Sequence, residues 1–228
     1  MYLARHDLAR VEPRVVVMAR PQPLERWCAD HGIREALVGG FFVRPHGTPL
    51  GEVRTSGVLR EHVSFDAPWS GVRACLHVEA GVPQIAFRHE LPSAPRGDLL
   101  QAGPLLVRDG RPYFDAEADA EGFSAAAHQF DSDITDGRHP RAALGLAGDT
   151  LVAVVCDGRS RADAGSRLSE LAQLMTALGC ESALNLDGGG STSLISGGRL
   201  NNRPRGDFEV PVPGGRPIST AVAFALRS

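Results

Sequence analysis

The chain has 228 residues, and its 24 basic side chains are all arginine, set against 27 acids for a net charge of −3. Without lysine there is no internal Schiff base, no Ser-Lys nucleophile pair, no pyridoxal anchor and no P-loop, whose GxxxxGK[ST] needs its lysine on the phosphates. Any anion-binding charge must be arginine, which keeps its proton and cannot act as a base. The near-balanced charge carries no footprint for nucleic acid or an anionic membrane surface.

Hydrophobic residues make up 43% and charged residues 22% of the chain, enough for a sizeable core in one domain spanning residues 1–228. No apolar run approaches the roughly 18 residues of a membrane span, and Met1 to Arg20 lacks a signal peptide's unbroken apolar region, so the expectation is a cytoplasmic protein. Cys28, Cys75, Cys156 and Cys180 are far apart and form no C-x-x-C pair, which makes them expected core residues.

In chain order, Val15 to Met18 reads as a strand, and Leu24 to His31 as a short helix closed by Gly32. Glu35 to Phe42 is an apolar run broken by Gly39-Gly40. Between residues 44 and 135, apolar stretches at Val72–Val78, Gln84–Phe87 and Pro104–Val107 imply short strands with long loops. Asp131, Asp133 and Asp136 lack the spacing of a calcium loop, which leaves a solvated loop or a weak divalent-cation site, and no zinc pattern occurs. No cofactor is expected.

From residue 139 the pattern sharpens. Arg141–Ala147 and Thr150–Cys156 are apolar, strand-length runs joined by Gly148-Asp149, a two-residue hairpin signal whose register sets Arg141 opposite Cys156. A helix over Ser166–Leu178 follows, with Ser166 as the candidate N-cap and Gly179 past its end, and then a strand over Ser182–Leu186. Strand, helix, strand at this spacing predicts a crossover between parallel strands, with both carboxyl ends on one sheet edge, where α/β sheets bind ligands. The fold class expected is α+β (mixed α/β), with a twisted, largely mixed sheet whose C-terminal hairpin and β-α-β unit carries the site.

That edge gathers the candidate site residues. Gly188, Gly189 and Gly190 with the Ser191 and Thr192 hydroxyls form a candidate anion cradle of backbone N–H groups, and Arg141, Arg159 or Arg216 could supply bidentate phosphate contacts. Asp157 and Asp187 are the candidate catalytic pair, although an Asp-Gly aspartate also serves to hold loop backbone. Asn185, two residues before Asp187 on the strand, shares its face.

These residues resemble the phosphodiester glycosidase family, whose N-L-D-G-G-G-S-[TSA] signature is matched by Asn185 to Thr192. His139 to Gly145 resembles its [HG]-P-R-T-A-[IL]-G, Asp157-Gly158-Arg159 its D-G-R, and Gly165 with Glu170-Leu171-Ala172 its following helix. Asn201 or Asn202 with Arg203-Pro204 is similar to its N-x-P, Arg216 to Thr220 to its closing segment, Gly103 to Val107 to a further one, and Gly39-Gly40-Phe41-Phe42 to its N-G-G-[YF]-F. The matches span residues 36 to 223. Departures are Val38, Val43 and Ala142, where the family usually has Asn, Asp and Thr.

The resemblance implies a hydrolase that cleaves the glycosidic bond of a small-molecule sugar-1-phosphodiester, and it adds Glu170 as a catalytic candidate and Gly40 and Asn201 as binding candidates. Two other readings stay open: a non-catalytic binder of phosphosugars or nucleotide-sugars, and a phosphodiesterase that cuts P–O.

Overall fold

A computed structural model describes residues 1–124 and 134–227. The chain opens with β1 (Tyr2–Asp7) and the long β2 (Val11–Gln22), then α1 (Leu24–His31), which ends at Gly32 in the left-handed region. Short strands follow: β3 (Ala36–Val38), β4 (Phe42–Val43), β5 (Thr48–Pro49), β6 (Val53–Thr55) and β7 (Val58–Leu59). A single helical turn, α2 (Trp69–Val72), leads into β8 (Ala74–Glu79), β9 (Val82–Phe87), β10 (Asp98–Gln101), β11 (Leu105–Arg108) and β12 (Arg111–Pro112). The last part holds β13 (Arg141–Ala147), β14 (Thr150–Cys156), α3 (Leu168–Ala177), β15 (Ser182–Leu186), β16 (Leu194–Ser196), β17 (Arg199–Leu200) and β18 (Ile218–Leu226).

The strands form three principal sheets, ordered β1-β14-β13-β15-β11-β12, β7-β6-β10-β8-β9 and β17-β16-β3-β18-β2, with β4 and β5 as a separate pair. Every pairing of these strands is antiparallel, which corrects the expectation of one largely mixed sheet. The hairpin adopts the predicted register, Arg141 opposite Cys156 and Ala147 opposite Thr150. β14 and β15 do run parallel to each other, but β13 lies between them and pairs antiparallel with both. The crossover therefore skips a strand, and its consequence survives: β14 and β15 end on the same edge, where β13 begins.

The first sheet is buried on both faces, which is why β13 and β14 read as continuous apolar runs rather than alternating ones. Leu144, Leu151, Ala153 and Val155 join the core shared with the other sheets, while Ala143, Val152, Val154 and Cys156 face α3 through Leu168, Leu171, Ala172 and Met175. Each fully buried Leu or Met contributes about 1.5–3 kcal/mol. The approach of α3 is close, since a Cβ at Gly145 would lie 2.7 Å from Met175 Cε and 2.6 Å from Cys180 Sγ.

Two details of α3 differ from expectation. The helix starts at Leu168, and the Ser166 hydroxyl bonds the Arg167 carbonyl rather than capping; the Glu170 carboxylate instead reaches back to the Arg167 N–H at 3.1 Å. All four cysteines are free and buried, as core residues should be. No helix among the described residues is long and apolar enough to cross a membrane.

Candidate functional site

Three chain segments meet where β13 begins and β15 ends, and glycines make the junction possible. The Asp187 N–H donates to the Gly39 carbonyl at 3.0 Å and the Gly189 N–H to the Pro140 carbonyl at 3.0 Å. A Cβ at Gly39 would sit 2.4 Å from Thr220 Oγ1, and one at Gly188 would sit 2.7 Å from the Pro140 oxygen. Gly158 and Gly165 press on the same His139-Pro140 stretch, with would-be Cβ distances of 2.8 Å to the Pro140 nitrogen and 2.4 Å to the His139 oxygen. Gly40 stands behind this junction, its N–H on Thr220 Oγ1 at 3.0 Å.

The triple glycine does not form the open nest of N–H groups that its composition promises. The Gly188 N–H bonds the Asp187 carboxylate, that of Gly189 bonds Pro140, and those of Ser191 and Thr192 close a 3₁₀ turn on Gly188 and Gly189. Most of the loop's donors are thus spent on holding its shape. Two of the predicted arginines lie against the turn. A Cβ at Gly190 would lie 3.1 Å from Arg216 Nη2, and one at Gly189 would lie 3.1 Å from Arg159 Nη1. Arg159 adopts a left-handed backbone, φ 54°, and pairs with Asp207 at 3.0 Å.

Asp187 is the electrostatic centre. Burial pushes its carboxyl up to about 6, against the opposing pull of the Ser191 hydroxyl, the Gly188 N–H at 2.9 Å, and the Arg216 and Arg44 guanidinium groups. Ser191 Oγ lies beside this carboxylate without a well-aligned hydrogen bond, and Thr192 Oγ1, Ser193 Oγ and Asn185 Oδ1 are likewise buried with none among the described residues. Burial, with the Arg141 and Arg159 guanidinium groups, holds the His139 imidazole below its ordinary range against the opposing pull of Asp136.

The other predicted residues take up supporting positions. Arg141 is 4% exposed and donates to the Ser166 and Ile134 carbonyls, so its guanidinium ties segments together below the site. Asp157 accepts the Arg203 N–H at 2.7 Å, the loop-holding role open to an Asp-Gly aspartate. Glu170 lies at the start of α3, paired with Arg138, and the structure does not bring it to Asp187. Asn185 donates to the Gly103 carbonyl at 2.8 Å and staples β15 to the turn before β11. Asn201 is exposed and closes the β16–β17 hairpin through the Ser196 and Arg199 carbonyls. Its neighbour Asn202 is the buried one, holding the Thr192 carbonyl at 2.8 Å and the Leu194 N–H at 3.0 Å.

Two residues at the site escaped the sequence reading. Arg44 follows the Gly39 to Phe42 segment by two residues, a position that marks it in hindsight; Asp207 lies in a loop without periodicity. Val38 is fully buried in β3, whereas Val43 is 37% exposed on the β4–β5 hairpin beside Arg44, so Val43 is the departure that changes the surface. Among the described residues no cluster of His, Cys, Asp or Glu could hold a metal; Asp131 and Asp133 lie outside them. A cavity of about 550 Å³ opens at the opposite end of β15, lined by Glu181, Ser182 and the Arg108–Glu90 pair, and shares no residue with this junction.

The phosphodiester glycosidase family model matches residues 31–225, and the chain belongs to that family. Over 167 residues it is 29% identical to an uncharacterised SPbeta prophage-derived protein, YomE, of Bacillus subtilis strain 168, covering 70% of this chain and about a quarter, 24%, of that protein's length. Its fold matches the catalytic domain of zebrafish N-acetylglucosamine-1-phosphodiester alpha-N-acetylglucosaminidase, auto-inhibited by its pro-peptide, with a TM-score of 0.70 at 20% identity over 96% of this chain and 74% of that one. A hypothetical protein from Synechocystis matches with a TM-score of 0.64 at 19% identity, covering 99% and 59%.

Proposed function

We propose that this chain hydrolyses the glycosidic C–O bond of a sugar-1-phosphodiester, releasing the free sugar and a phosphomonoester. The observation that carries the reading is Asp187: a carboxylate at the head of the glycine turn, raised to about 6 by burial against the opposing pull of the Ser191 hydroxyl, the Gly188 N–H and the Arg216 and Arg44 guanidinium groups. The guanidinium groups of Arg216 and Arg159 over Gly190 and Gly189 suit a phosphate by charge and fork geometry.

A phosphate held this way is already a good leaving group, so protonating the bridging oxygen matters less than in an ordinary glycoside. Asp187 acts in its ionised form, taking a proton from the water that attacks the anomeric carbon and stabilising the oxocarbenium-like transition state. The water oxygen joins the sugar, the C–O electron pair leaves with the phosphate, and no cofactor is called for. Membership of a glycosidase family and the likeness to a phosphodiester glycosidase fold support the reaction class. The exposed Val43 beside Arg44 supports a sugar or aglycone different from the family's usual one.

Turnover of a sugar-1-phosphodiester panel in oxygen-18 water tests this directly. The label is expected in the sugar; label in the phosphate means P–O cleavage, and tight binding without product means a binding protein.

A further inference from the structure

The segment between Arg203 and Arg216 is tied to the site at its two ends and otherwise bonds to itself. The Arg203 N–H donates to the Asp157 carboxylate at 2.7 Å and the Arg216 N–H to the Gly190 carbonyl at 2.8 Å. Between these anchors the Gly206 N–H donates to the Val210 carbonyl at 2.8 Å, the Val212 N–H to the Pro204 carbonyl at 3.0 Å and the Gly215 N–H to the Val212 carbonyl at 2.9 Å. Arg205 Nη1 adds a bond to the Glu209 carbonyl at 2.9 Å. Gly214 and Gly215, left-handed at φ 77° and 87°, end the segment immediately before Arg216, and Asp207, Glu209, Val210 and Pro211 are exposed at its tip.

Among the described residues, one polar contact joins this tip to the rest of the protein: Asp207 Oδ1 to Arg159 Nη1 at 3.0 Å. The contact is close but poorly made. Arg159 Nη1 is buried and has no aligned hydrogen bond among the described residues, while the Asp207 side chain is 60% exposed on its short 3₁₀ turn (Asp207–Glu209). Backbone strain lies on both sides of it, with Arg159 at φ 54° and Glu209 at φ 61°, a left-handed conformation that is uphill for any residue but glycine. A single misaligned contact yields to an acceptor that engages the guanidinium through two aligned, charge-assisted bonds, as a pair of phosphate oxygens does.

We propose that residues 204–215 form a flap that Asp207 latches onto Arg159 while the site is empty, and that a phosphate group taken up by Arg159 displaces the carboxylate and frees the flap. The inference rests on the phosphate reading of Arg159 given above. In the latched state the Asp207 carboxylate occupies the guanidinium that the substrate needs, so the empty site inhibits itself. Departure of the phosphorylated product lets the latch return. The anchors at Asp157 and Gly190 keep both ends in place, and the left-handed glycine pair before Arg216 supplies the hinge.

Trypsin reads the flap directly. Arg203 and Arg216 each precede proline, where trypsin does not cut, so Arg205–Gly206 is the one tryptic bond between them. Its cleavage rate, followed by mass spectrometry, tracks the population of the open flap, and the Arg10–Val11 bond at the β1–β2 turn serves as the control for global unfolding. The proteins compared are the wild type, D207N, D207S and R159Q, each with and without dimethyl phosphate, whose binding is followed in parallel by calorimetry. Without ligand, all three variants are expected to be cut at Arg205–Gly206 roughly two- to five-fold faster than the wild type, the effect of losing one half-exposed ion pair. Saturating dimethyl phosphate should accelerate the wild type by a similar factor and leave the variants unchanged. If the ligand binds but the wild type and D207N are cut at equal rates, or if bound ligand slows cleavage of the wild type, the latch is overturned while the phosphate site stands. If dimethyl phosphate binds to none of the proteins, the phosphate reading fails and the displacement with it.

Discussion

Replacing Asp187 with Asn should make the protein more stable as it abolishes turnover, and the gain should depend on pH. Burial raises the Asp187 carboxyl from its ordinary 3.8 to about 6 in the folded chain, so between those values the native state holds a proton that the unfolded state has lost. Stability contributed by this group therefore falls as pH rises through that window, by about 1.4 kcal/mol per pH unit and about 3 kcal/mol in all once the group is ionised in both states. Asn keeps the acceptor for the Gly188 N–H, now at 2.9 Å, and carries no charge to desolvate. Water at the mouth of a partly exposed residue reduces the recoverable part to ~1–3 kcal/mol, a rise in melting temperature of a few degrees for a chain of this size. Scanning calorimetry near pH 8 should show that rise, and near pH 4, where the native carboxyl is already protonated, most of it should vanish. A D187N protein less stable than wild type near pH 8, or one whose gain persists near pH 4, would refute the view of Asp187 as a carboxylate held ionised against its environment.

The same shift sets the activity profile. If Asp187 works as a base, kcat/KM should climb with pH through about 6 and level above it, and a profile flat from 5 to 8 would assign the proton transfer elsewhere. Gly188→Ala drives a Cβ to within 2.7 Å of the Pro140 oxygen, so chemical denaturation should show a loss of ~1–3 kcal/mol together with reduced turnover. Glu170→Ala removes the carboxylate that receives the Arg167 N–H at the start of α3; thermal unfolding should reveal a cost of ~0.5–2 kcal/mol with kcat unchanged, because Glu170 does not reach the site. Leu171→Ala, in the layer between α3 and the sheet, should cost ~2–5 kcal/mol by denaturant titration, again without a direct effect on chemistry.

The part of this protein legible in its sequence is the part built from local rules. The Gly148-Asp149 turn specifies a two-residue hairpin, and with it the pairing of Arg141 with Cys156, because register propagates from the turn. The spacing of Leu168, Leu171, Ala172 and Met175 marks one helical face, and Gly32 stops α1 because a left-handed residue ends a helix cheaply only as glycine. That β14 and β15 end on one edge followed from strand direction alone, even though β13 intervenes between them.

What those residues do there depended on partners far away in the chain, which no local pattern encodes. Asp157 is committed to the Arg203 N–H, Glu170 to a helix start, and Asn201 to a hairpin, while Arg44 and Asp207 enter the site from loops with no periodicity. The glycine triple follows the same division. Its composition announced close approach, and the close approach is real, but to the Pro140 backbone and to the Arg159 and Arg216 side chains. The chain alone determines which residues stand at the carboxyl edge of the sheet; packing alone decides which of their hydrogen-bonding groups are consumed by the fold and which, such as the Ser191 hydroxyl and Arg159 Nη1, have no aligned hydrogen bond among the described residues.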